Sequence, residues 1–99
     1  MLVHSVFFKF NPDVTPEQIE GVAEMARGLG KIETVKELYV GSPAPVPERP
    51  VCRNDYELAI TALFDSVADH NIYQDHPLHV EYVTTNKPLW ERVEVFDME

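Results

Sequence analysis

The sequence predicts an α+β sandwich, a four-stranded antiparallel sheet with two helices packed on one face. Three observations carry this. Segments of alternating and of helical apolar spacing follow one another as strand, helix, strand, strand, helix, strand. The first strand carries apolar residues on both of its faces. A proline between two histidines, in Tyr73-Gln74-Asp75-His76-Pro77-Leu78-His79, ends the second helix abruptly.

The elements run as follows. Leu2 to Phe10 alternates Val3, Ser5, Phe7 and Lys9 with His4, Val6, Phe8 and Phe10, so this strand expects cover on both sides. Asn11-Pro12-Asp13 is turn material. Thr15-Pro16-Glu17-Gln18 is a helix start: threonine caps, proline takes the first position and glutamine completes a capping box. Ile19, Val22, Ala23, Ala26 and Leu29 form its apolar stripe, and Gly28 and Gly30 mark its end. Ile32 to Gly41 reads as a second strand of blurred register. Residues 42–55 hold four of the eight prolines and read as an extended hairpin connection. Tyr56 to Asp65 alternates clearly as a third strand. Ser66 caps a short helix bearing Val67, Ala68, Ile72 and Tyr73, which should end at about His76. Val80, Tyr82 and Val83 follow in a turn or second short helical piece, ended by Lys87-Pro88. Leu89 to Phe96 is the last strand, with Val93 and Val95 on one side and Trp90, Arg92, Glu94 and Phe96 on the other.

This order is that of a ferredoxin-like βαββαβ sandwich, and 99 residues read as a single domain, 1–99. Two helices cover only one face of the sheet. The economical cover for the other is a second copy of the chain, so a homodimer packed sheet to sheet is expected.

Composition narrows the function classes. A net charge of −9 disfavours nucleic acid and an anionic membrane surface as partners. The lone Cys52 leaves neither an internal disulfide nor a thiolate zinc site, and it reads as incidental. With no charged leader or long apolar run, a cytoplasmic location is expected. Gly28 and Gly30 follow a helix instead of preceding one, so they form no phosphate loop. Asp13, Glu17 and Glu20 sit where a helix start favours carboxylates.

Chemistry concentrates in residues 71–79. The proline break should place Tyr73 and His79 on two differently directed segments facing a common space. Histidine titrates near neutral pH and a phenol donates a hydrogen bond while remaining neutral, so the two can act as an acid/base pair. The competing structural reading has Tyr73 and His79 bonded to each other or to carbonyls at the broken helix end. His76 is expected to anchor the turn. His76 and His79 with Asp75 or Glu81 are too weak a set for a metal assignment, so no metal or cofactor is expected. Trp90 and Phe96 read as core or dimer-interface aromatics before a ligand cage.

His4-Ser5-Val6-Phe7-Phe8-Lys9-Phe10, Gly41, Phe64-Asp65-Ser66, the Tyr73-to-His79 segment and Phe96-Asp97 together resemble the stress-responsive A/B barrel family. The resemblance covers nearly the whole chain and implies a dimeric α+β barrel. One plant branch, polyketide cyclases such as olivetolic acid cyclase, closes rings by aldol chemistry without a cofactor. It implies a catalytic pair at Tyr73 and His79 and a matching histidine at His4. The cyclase pocket differs here: it has histidine where this chain has Leu58, and first-helix aromatics where it has Val22, Ala23 and Ala26. The expected molecule is therefore a homodimer binding a small molecule, with His79 and Tyr73 catalytic and His4, Val6, Phe8 and Trp90 contacting substrate. Its chemistry would be of cyclase, isomerase or lyase type on a carbonyl compound. The alternative is a non-catalytic stress-associated or ligand-binding protein in which the motif only builds the fold.

Overall fold

The computed structural model describes all 99 residues. The elements are β1 (Leu2–Phe10), α1 (Pro16–Arg27), β2 (Glu37–Gly41), β3 (Leu58–Phe64), α2 (Val67–Asp75), α3 (Pro77–Asn86) and β4 (Trp90–Met98), with short 3₁₀ turns at Gly28–Lys31 and Lys87–Leu89. The sheet order is β2-β3-β1-β4, antiparallel throughout. This is the ferredoxin-like α+β fold.

Each helix starts where the local chemistry allows. Thr15 accepts from the Gln18 amide while the Gln18 side chain takes the Thr15 amide, the reciprocal box that satisfies two orphan donors. Ser66 accepts from the Asp69 amide in the same way. The core lies between the helices and one sheet face. Val22, Ala23 and Ala26 of α1, Tyr73 of α2 and Tyr82 of α3 pack over Leu2, Val6, Phe8 and Phe10 of β1 and Leu58, Ile60, Ala62 and Phe64 of β3. The alternation of β1 and β3 between buried and half-buried residues follows directly from the period-two geometry of a strand.

The structure adjusts the sequence reading in several places, the last strand running Trp90–Met98 where Leu89 to Phe96 was expected. The second strand begins at Glu37, not Ile32, because Ile32 turns inward from the 3₁₀ segment and is 1% exposed in the core. The third begins at Leu58, since residues 52–56 form no ladder. Of the turn or second helical piece expected after Pro77, the structure has the helix, the ten-residue α3: the missing proline N–H costs nothing at a first helical position. A further correction moves Trp90 to the other face. Lys9 pairs with Arg92 but Phe10 pairs with Trp90, so Glu91 is an extra residue in a bulge. The bulge turns Trp90 to the helix-covered side with Val93 and Val95, away from Arg92, Glu94 and Phe96.

The other sheet face has no helix over it. Val3, Ser5, Phe7 and Lys9 of β1 lie half-buried there, and Tyr39, Phe96 and Met98 are 60%, 62% and 66% exposed. Phe7 packs edge-on to both Tyr56 and Phe96, at ring-centroid distances of 5.0 and 5.9 Å.

Thr15→Ala should remove the capping box at α1 and cost about 0.5–2 kcal/mol. For a domain of this size that lowers the unfolding midpoint by roughly 4–8 °C per kcal/mol, readable in a thermal melt followed by circular dichroism. An unchanged midpoint would show that α1 is held by packing alone.

Candidate functional site

The helix breaks at His76 and a new one starts. This residue is extended (φ −65°, ψ 139°), as the residue before proline prefers, and it ends α2 and caps α3 at once. Its Nδ1 accepts from the Leu78 amide at 3.1 Å. His76 thus anchors the turn, as the sequence reading expects. Tyr73, on the last turn of α2, and His79, on the first turn of α3, are brought face to face with ring centroids 4.6 Å apart.

They border a cavity of about 170 Å³ between the helices and the sheet. His4, Val6 and Phe8 of β1 and Trp90 of β4 also line it, so all six residues singled out from the sequence meet in one place. Val93 and Val95 of β4 form another wall, with Tyr82 at the α3 side. Trp90 reaches the wall because of the Glu91 bulge. None of the lining residues comes from α1, and Leu58 lies in the core.

His79 Nδ1 lies 3.1 Å from the Gln74 carbonyl oxygen. A carbonyl only accepts, so Nδ1 carries the proton and donates it; in the neutral ring Nε2 is then a bare acceptor. Burial lowers the His79 pKa from its ordinary value, the Gln74 bond opposes this, and the charges of His4 and His70 lower it further. Burial also raises the Tyr73 pKa, so its phenol stays protonated across the physiological range. One environment therefore moves the two groups apart, toward a neutral base and a neutral acid.

Beside this pair, His4 is 4% exposed and its Nδ1 lies 2.5 Å from an Asp97 carboxylate oxygen. Its ring is 4.7 Å from that of His70 on α2. The sequence reading misses His70, Asp97 and Tyr82 in the site. His70 lies one helical turn from Tyr73, near enough to have been signalled by spacing; Asp97 is 93 residues from His4, and only strand pairing joins them. Donors able to hold a metal ion gather at His4, His70 and Asp97, not at His76 and His79.

A helix-covered antiparallel sheet with a buried tyrosine–histidine cavity places the chain among ferredoxin-like α+β proteins. It belongs to the Stress Responsive A/B Barrel Domain family, whose model matches residues 2–99. A protein from Arabidopsis thaliana is 25% identical over 100% of this chain and 94% of its own, with a TM-score of 0.83. The hydroxynitrile lyase of Passiflora edulis has the same fold: 23% identity, 98% and 90% coverage, TM-score 0.83. So does a dimeric ferredoxin-like protein from Thermobifida fusca, at 24% identity, 98% and 88% coverage and a TM-score of 0.80. No curated protein sequence matches the chain. No helix is long and apolar enough to cross a membrane.

The depressed His79 pKa has a consequence for stability. The unfolded chain takes up a proton near pH 6.5 while the folded chain still excludes it, so stability is full above that pH and falls on acidification. The melting temperature should drop between about pH 6.5 and 5 in the parent protein, and drop less in His79→Gln. Equal slopes in both would mean that His79 is not held neutral by the fold.

Proposed function

We propose that this chain is a homodimeric small-molecule enzyme of the cyclase, isomerase or lyase kind, acting by acid/base chemistry without a cofactor. The observation that carries the reading is the Tyr73–His79 pair, aimed into a shared cavity with the phenol kept protonated and the imidazole kept neutral. Neutral His79 Nε2 takes a proton from a hydroxyl or from a carbon beside a carbonyl. The Tyr73 hydroxyl donates to the oxygen on which negative charge develops. His4, held by Asp97, orients the polar end, while Val6, Phe8 and Trp90 hold the apolar body of the substrate. That a protein of the same fold is a hydroxynitrile lyase supports chemistry of this class.

The cavity is small beside the roughly 300–1,000 Å³ of ordinary ligand sites, so the substrate is a compact carbonyl compound. The same small volume, with the His79–Gln74 bond, favours the second reading, a non-catalytic protein in which the pair stabilises the helix break.

Deuterium exchange separates the two. Small ketones and aldehydes incubated with the protein in heavy water should exchange the hydrogens beside their carbonyl, followed by NMR. His79→Ala should slow this about 10²–10⁴-fold and Tyr73→Phe by about 10²–10³-fold, with melting temperature and oligomeric state retained. The rate should follow one basic limb with an apparent pKa below 6.5 and no decline up to pH 9, since burial lowers His79 and raises Tyr73. No exchange above background in the parent protein, or equal rates in the variants, would leave the structural reading standing.

The dimer is proposed from the uncovered apolar sheet face and from similar structures that are dimeric. Light scattering should give twice the 11.3 kDa chain mass, and Phe96→Glu, placing a charge on that face, should give the single-chain mass. A parent protein that is monomeric at micromolar concentration refutes it.

A further inference from the structure

Three potential metal ligands converge beside the cavity from three separate elements. His4 comes from β1, His70 from α2 and Asp97 from the end of β4, and one donor atom of each lies within 4.8 Å of the others. We infer that His4, His70 and Asp97 form a binding site for a divalent transition-metal ion, with Zn²⁺ the ion that fits best.

The donor set selects the metal. Two imidazoles and one carboxylate suit a borderline cation, and hard Ca²⁺ or Mg²⁺ would want more oxygens than one side chain supplies. The distances are close to those required. Ligand atoms around tetrahedral zinc stand roughly 3.3 Å apart, given metal–ligand bonds of about 2.0–2.2 Å. His4 Nδ1 and the Asp97 oxygen, now 2.5 Å apart, must open by under about 1 Å, and His70 must close in by up to about 1.5 Å. Asp97 can do this because it lies on an exposed strand end, and His70 because it is only half-buried at the surface of α2. His4 stays fixed, being almost wholly buried.

The ion replaces the proton that His4 and Asp97 now share; the imidazole carries its proton on Nε2 instead, or releases it, and Nδ1 binds the metal through its lone pair. His70 has a ring nitrogen within 3.2 Å of Gln74 Nε2 and the other within 3.3 Å of Asn71 Oδ1. Asn71 Oδ1 can hold the Nδ1–H and so orient the ring, while Nε2 gives up the Gln74 amide to bind the metal. Three protein ligands leave at least one coordination position for water or a small anion. The protein's net charge of −9 favours cation binding in general, so specificity must be shown by the ligands themselves.

The test is calorimetric titration of zinc chloride into the full-length protein, made without an affinity tag. One ion should bind per chain. His70→Ala and Asp97→Ala should each weaken binding by at least the roughly 10–100-fold that loss of a mere supporting group costs at a metal site. His76→Ala and Cys52→Ser, which remove a histidine and a thiol elsewhere, should leave affinity unchanged. Circular dichroism melts establish that the variants fold. Absence of binding to the parent protein overturns the inference. So does binding that survives both His70→Ala and Asp97→Ala, or that is lost with His76 or Cys52. None of these readouts depends on Tyr73 or His79 acting in catalysis.

Discussion

The break at His76-Pro77 is the constraint on which the site depends. Pro77 has no amide hydrogen to continue α2 and excludes the helical conformation from the residue before it, so the chain must leave the helix at His76. The same proline is well suited to begin a new helix, and the His76 side chain supplies the cap that would otherwise be missing. A single continuous helix would carry Tyr73 and His79 six residues apart, on faces that diverge by about a third of a turn. Broken and redirected, the two helices set these rings 4.6 Å apart over one cavity. The turn also frees the Gln74 carbonyl from helical bonding, and it is this orphan acceptor that fixes the His79 tautomer.

Burial then shapes the chemistry. It disfavours charge on either group, which raises the pKa of an acid and lowers that of a base. Applied to a phenol and an imidazole, the effect widens the pH range in which one stays protonated and the other stays neutral. His4 is buried too, but its nitrogen reaches a half-exposed carboxylate, Asp97. The site thus has two kinds of polar group: a pair held neutral by burial, and a histidine hydrogen-bonded to a carboxylate at the rim.

Much of this arrangement was legible in the sequence because it is encoded locally. The capping box at Thr15, the alternation of β1 and β3 and the proline break each occupy a few consecutive residues, and each appears where the pattern places it. The six candidate site residues meet because the alternation of β1 puts His4, Val6 and Phe8 on one face and the break supplies the other two, with Trp90 completing the wall. What escaped is non-local. The face of Trp90 depends on a bulge that exists only once β4 pairs with β1, and Asp97 becomes a neighbour of His4 by the same pairing. Ile32 resembles a strand residue in sequence, yet core space beneath α1 draws it inward before β2 begins. His70, one helical turn from Tyr73, was within reach of spacing, but its neighbours on β1 and β4 appear only in the folded chain.

Strand β4 joins these themes. It is an edge strand paired only with β1, and its residues alternate between two surfaces. Val93, Val95 and Asp97 face the helices, where the first two wall the cavity and the third meets His4. Arg92, Glu94, Phe96 and Met98 face the uncovered side. An edge strand of nine residues with that much exposed apolar surface offers both an open ladder and an apolar face to a partner. A second copy packed against Phe96 and Met98 would restrain the whole strand, because a pleated strand cannot shift one set of side chains and leave the alternate set in place. Assembly and site geometry would then be one problem: the surface proposed for the partner is the reverse side of the wall that shapes the cavity.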